Sequence, residues 1–183
     1  MERELRFSPW LAAGLCLFCF WDGTGLFWPF LAGILLHEAG HLLALALLRV
    51  PVGRISLGLT GAVLDTGACT PGQEAVIAAA GPLVTGLLAL IGYYVNQRVF
   101  AVNLVLLGYN LLPLYPLDGG RLLGLGLEAL LGRDRGKRVS RWIGYVTVGV
   151  VVLWGLWATF VAHRGPFPAL LAAAFLLRLP KKT

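Results

Sequence analysis

Charge is the scarcest property of this sequence. Only 13% of its 183 residues are Asp, Glu, Lys or Arg, and nine of those are carboxylates, too few to clothe a water-soluble domain of this length. Three cysteines cannot define a disulfide framework. Cys16 and Cys19 lie in an apolar run and read as small buried hydrophobes rather than a redox or metal pair, and Cys69 stands alone. Internal repeats and low-complexity linkers are absent, which excludes a solenoid or a tethered array. Hydrophobic residues fill the space instead: they make up 58% of the chain, with a mean hydropathy of +0.79. The 24 glycines and 10 prolines fall among these apolar runs, where membrane helices tolerate them. The expectation is a polytopic, all-α membrane protein forming a single domain.

A membrane span needs about 20 apolar residues. Six runs qualify or come close: 7–21, 26–49, 74–96, 99–117, 142–162 and 166–179. Arg3 and Arg6 precede the first run in the manner of a signal peptide, but "FCFWDGTG" offers no small-x-small cleavage site, so the run reads as a retained span. With the N-terminus inside, 13 of the 15 Lys and Arg residues fall on the cytoplasmic side, leaving Arg98 and Arg164 outside. Both termini are therefore expected in the cytoplasm of a multi-pass protein of the cell membrane. The net charge of +6 needs no nucleic acid to explain it. The stretch 121–141, with its "GRDRGKRVSR", reads as a basic cytoplasmic loop against anionic head groups.

Between the second and third runs, "VGRISLGLTGAVLDTGA" (52–68) alternates Ile55, Leu57 and Leu59 with Arg54, Ser56, Gly58 and Thr60. This period of two predicts a short membrane-associated β-hairpin. Thr70, Pro71 and Gln73 then supply an N-cap, a first helical proline and the third residue of a capping box. The third run holds "AAAGPLVTG", whose small residues suit close helix packing. The fourth run ends in "NLLPLYPLDGG", where Pro113 and Pro116 break the helix before Asp118.

The chemistry is concentrated in "LLHEAGHLL" (35–43). Residues four apart share one face of a helix, so His37 and His41 can reach one metal ion with Glu38 beside them. This is the H-E-x-x-H arrangement of zinc hydrolases, in which the glutamate acts as general base. A pair of hydrogen-bonded core histidines is the bland alternative. Ionisable groups inside a membrane are costly, however, and these use two of the three histidines in the chain. A catalytic zinc takes a third protein ligand. Glu2, Glu4 and Asp22 fall at terminal or loop positions, Asp65 and Glu74 flank the hairpin, and Glu128 and Asp134 belong to the basic stretch. Asp118, at the end of a broken span and followed by two glycines, is the expected third ligand. Such a centre points to peptide hydrolysis within a membrane.

These residues resemble the site-2 proteases, a family of intramembrane zinc metalloproteases. The resemblance is carried by "HEAGH", by "AGP" at 80–82 and by "NLLPLYPLDGG" at 110–120. It implies His37, His41 and Asp118 as ligands of one zinc ion, Glu38 as catalytic base, and Asn110 as a residue that holds the substrate backbone. The lack of an inserted PDZ domain is similar to the subgroup of stage IV sporulation protein FB, here without a CBS domain. That likeness implies a sigma-factor precursor as one possible substrate. The partners implied are a membrane-embedded or membrane-adjacent protein, the lipid bilayer and an inhibitory membrane protein. Ser56 and Leu57, on the expected edge strand of the hairpin, are candidates for binding an extended substrate by β-augmentation. The rival class is a metal-binding membrane protein without hydrolytic activity, such as a divalent-metal transporter. A transporter would line a path with polar residues, and runs five and six offer little beyond Thr147 and Thr159.

Overall fold

Each long apolar run that can be followed becomes a helix, and each helix ends where particular residues stop it. The computed structural model describes residues 5–7, 22–58, 61–66 and 69–163, together with positions 16, 19, 20, 173 and 176. The chain forms two compact units, Met1–Leu111 and Leu112–Thr183. In chain order the first contains β1 (Leu5–Phe7), α1 (Phe27–Leu47), β2 (Val52–Gly58), β3 (Gly61–Thr66), α2 (Pro71–Val95) and α3 (Gln97–Asn110). The second contains α4 (Asp118–Leu131) and α5 (Arg133–Phe160).

Apart from His37, Glu38 and His41, α1 is apolar on every side, the pattern of a helix surrounded by protein and lipid. Its start is held by Asp22, whose carboxylate accepts from the amides of Phe27 (2.7 Å), Leu26 (3.1 Å) and Thr24 (3.2 Å) and from the Thr24 hydroxyl (2.8 Å). These bonds, the Phe27 amide foremost, lower the Asp22 pKa from 3.8 to about 2. A lowered folded-state pKa means that the stabilisation is complete above the ordinary carboxylate range and is lost as the pH falls through about 2. Asp22→Ala is therefore expected to speed hydrogen–deuterium exchange at Leu26 and Phe27 at neutral pH. The gap between the two proteins should narrow as the pH approaches 2.

At its other end α1 closes in a Schellman motif. Arg49 takes the left-handed conformation (φ 53°), its amide bonds to Ala46 O, and the amide of Val50 reaches back to Leu45 O at 3.0 Å. The accompanying hydrophobic contact is present too: Val50 and Leu45 are buried in one cluster with Ala44 and Ile77. Pro51 then prevents the helix from resuming.

The helix α2 begins with the expected capping box. Thr70 Oγ1 accepts from the Gln73 amide (3.3 Å), and Gln73 Oε1 accepts from the Thr70 amide (2.9 Å). Asn96 ends α2 and starts α3, its side chain accepting from the Arg98 amide at 2.9 Å. Gly92 allows this reversal, since a Cβ there would lie 2.9 Å from Phe100 Cα. Helices α1, α2 and α3 pack on one another.

Among the described residues, α1, α2 and α5 are long and apolar enough to cross a membrane. The fourth expected span, 99–117, is corrected. Its helix stops at Asn110, and 14 residues extend only about 21 Å, short of the roughly 30 Å of hydrocarbon. The prolines at 113 and 116 cannot continue a helix, and Leu111–Leu117 turns through a cis Tyr115–Pro116 bond. The expected first and sixth spans, 7–21 and 166–179, fall largely outside the described residues.

The strands β2 and β3 are antiparallel, with Ile55 opposite Leu64, Ser56 opposite Val63 and Leu57 opposite Ala62. The sheet has a third member. β1 runs parallel to β2, pairing Leu5 with Ile55, Arg6 with Ser56 and Phe7 with Leu57, so the strand order is β1-β2-β3. This corrects the expectation that Ser56 and Leu57 lie on an edge strand. A three-residue strand leaves too short a periodic pattern to be read from sequence, and its parallel partner lies some fifty positions away.

The stretch 121–141 is helical, not a loop. Leu123, Leu127, Leu130 and Leu131 recur at helical spacing through α4, and Gly132 (φ 80°) turns the chain into α5. The two helices lie close: a Cβ at Gly136 would come within 2.6 Å of Glu128 Cα, and Gly124 faces Ser140 Oγ. The exposed cations Arg133, Arg135, Lys137, Arg138 and Arg141 thus ride on the first turns of α5.

Candidate metal centre

His37 and His41 stand one turn apart on α1, each only 5% exposed. Their rings meet edge to face, with centroids 4.8 Å apart at 84°. Each ring is held from behind by α2. His41 Nδ1 lies 2.7 Å from the carbonyl oxygen of Ile77, and His37 Nδ1 lies 2.8 Å from Thr85 Oγ1. A carbonyl only accepts, so the proton of neutral His41 resides on Nδ1 and its Nε2 carries a lone pair. The two Nε2 atoms face each other at 3.2 Å. Two nitrogens bound about 2.0–2.1 Å from one tetrahedral zinc stand roughly 3.3 Å apart. The pair therefore fits as two ligands of a single ion.

What lets the rings sit there is a glycine. A Cβ on Gly81 would fall onto His41 Nε2 and lie 2.7 Å from His37 Cε1. One turn along α1, Gly40 does the same for the helix backbones, since its Cβ would meet Ala80 O at 2.9 Å. Gly33 makes room for Asn103 and Leu106 of α3.

Glu38 follows His37 directly and is half-buried. Asn110 is the last residue of α3 and is also half-buried. In the second unit, Asp118 is the first residue of α4 and is 7% exposed, with Gly119 and Gly120 buried beside it. Gly120 is required by the turn, because a Cβ would lie 2.5 Å from Tyr115 N. Ser56 and Leu57 are in the central strand, away from any free sheet edge. Sequence reasoning passed over Thr85 and the Ile77 carbonyl and took Gly81 for general packing. The available signal was the i, i+4, i+8 spacing of Ile77, Gly81 and Thr85, which puts them on one stripe of α2.

Comparison with known proteins converges on one family. Residues 97–154 match Peptidase family M50. The chain is 36% identical over 140 residues to the putative zinc metalloprotease Rip3 of Mycobacterium tuberculosis, covering 67% of this chain and 35% of that protein. It is 30% identical over 142 residues to stage IV sporulation protein FB of Bacillus subtilis, covering 70% and 48% respectively. The chain belongs to the site-2 protease family. A solved site-2 protease from Methanocaldococcus jannaschii shares its fold, with a TM-score of 0.72 over 98% of this chain and 90% of that one, at 22% identity. The chain spans less than half the length of the curated relatives it matches, from 35% to 48%.

Proposed function

We propose that this chain is an intramembrane zinc endopeptidase. It would hydrolyse a peptide bond in or near a transmembrane segment of a membrane-associated protein and release product on the cytoplasmic side. The observation that carries this reading is the buried His37–His41 pair, its Nε2 atoms 3.2 Å apart beside Glu38, between the spanning apolar helices α1 and α2. Asp118 completes the proposed ligand set with His37 and His41, for one metal ion. Such an ion supplies Lewis-acid polarisation of a carbonyl and acidifies water.

The chain's own residues do the rest. Glu38 accepts the proton of the attacking water and delivers it to the leaving amine. Asn110, ending a helix with an amide side chain, offers a donor and an acceptor to the backbone of an unwound substrate. Because β2 is paired on both sides at residues 55–57, a substrate strand would add to the outer edge of β3 rather than at Ser56 and Leu57. The similarity to stage IV sporulation protein FB supports a finer substrate reading, a membrane-held sigma-factor precursor.

Metal analysis of purified protein tests the ligand set. One equivalent of zinc is expected in the wild type, with near-complete loss in His37→Ala, His41→Ala and Asp118→Ala. Retention in Asp118→Ala would remove that residue from the set. Stoichiometric zinc without cleavage of any membrane substrate would favour a non-proteolytic metal-binding protein.

A further inference from the structure

The protonation of His37 is decided by a side chain on another helix. Thr85 is fully buried and touches two groups. Its Oγ1 lies 3.0 Å from the carbonyl oxygen of Gly81, one turn back on α2, and 2.8 Å from His37 Nδ1. A hydroxyl has one proton, and a carbonyl can only accept. Only one assignment gives both contacts a proton: Thr85 donates to Gly81 O and accepts from His37 Nδ1–H. That leaves the lone pair of His37 on Nε2, the atom facing His41.

We infer that Thr85 is a positioning residue for the metal centre, holding His37 in the Nδ1–H tautomer and its ring in line so that Nε2 presents its lone pair to a cation. This rests on the proposed metal site. The Ile77 carbonyl plays the matching part for His41, and Gly81 between them leaves room for both rings. The stripe 77–81–85 on α2 is thus a carbonyl, a gap and a hydroxyl in register with His41 and His37. The Ile77 contact comes from the backbone and survives any substitution there. The Thr85 contact is the one that a side-chain change can remove.

Partners that orient metal-bound histidines typically contribute 10–100-fold to affinity. Thr85→Val keeps the shape and removes the hydroxyl; Thr85→Ser keeps the hydroxyl. Zinc affinity, measured by chelator competition, is expected to fall by about 10–100-fold in Thr85→Val and to remain near wild type in Thr85→Ser. In zinc-loaded protein labelled with ¹⁵N-histidine, the downfield, slowly exchanging His37 Nδ1 proton should be present in wild type and Thr85→Ser. It should be lost in Thr85→Val, with the His41 Nδ1 proton unchanged as internal reference. Wild-type affinity in Thr85→Val would overturn the inference. Should that variant fail to fold, the wild-type spectrum decides, because a His37 Nδ1 proton exchanging as fast as a solvent-exposed one would also overturn it. Undiminished zinc affinity in His37→Ala would instead refute the metal site itself, and the role of Thr85 with it.

Discussion

Glu38→Gln is expected to slow peptide hydrolysis by about 10²–10⁴-fold, the usual contribution of a positioned general base, while zinc content stays at the wild-type level. The amide has almost the shape of the carboxylate but cannot accept a proton at any working pH. His37 and His41, with their Nδ1 partners on α2, are untouched by the change. Loss of activity with retained metal would therefore separate catalysis from assembly of the site. The measurement pairs a cleavage assay in reconstituted membranes with zinc analysis of the same sample. Its substrate is a membrane protein captured on the inactive variant and identified by mass spectrometry. Unchanged cleavage would remove Glu38 from the mechanism and leave the metal-binding reading standing alone.

Gly81→Ala is expected to abolish zinc binding, although it adds one methyl group on a helix that carries no proposed ligand. The new Cβ would overlap His41 Nε2 and crowd His37 Cε1 at 2.7 Å. The rings cannot swing aside at no cost, because each is tied through Nδ1 to α2. Separating α1 from α2 is resisted as well, since Gly40 already brings the two backbones into contact at Ala80. Gly86→Ala on the same helix is the control: its Cβ would meet only Leu107 Cδ2, at 3.8 Å, an ordinary contact. Zinc content and thermal stability of the two variants should differ sharply. Normal zinc in Gly81→Ala would mean that the histidine rings sit elsewhere when the ion is bound.

The sequence by itself determined the membrane character, the pairing of His37 and His41 on one helix face, and the start of α2. Hydropathy needs no partner to be read, and a four-residue spacing within one helix guarantees a shared face, so His37 and His41 were paired before any packing was known. The Thr70–Gln73 capping box is equally local. The tertiary structure decided what depends on distant segments. β1 lies some fifty residues from the strand it joins, and its pairing turned the expected edge strand into the middle of a sheet. The stretch 121–141 showed its charge more plainly than its leucine spacing, and it folded as two helices around Gly132. Most consequential is the stripe of Ile77, Gly81 and Thr85 on α2. In sequence it is a carbonyl that every residue has, one glycine of 24 and one hydroxyl in an apolar run. Only the antiparallel register of α1 against α2 sets that carbonyl and that hydroxyl behind the two imidazoles. Hydrogen-bond direction then leaves the lone pairs of both Nε2 atoms facing one point.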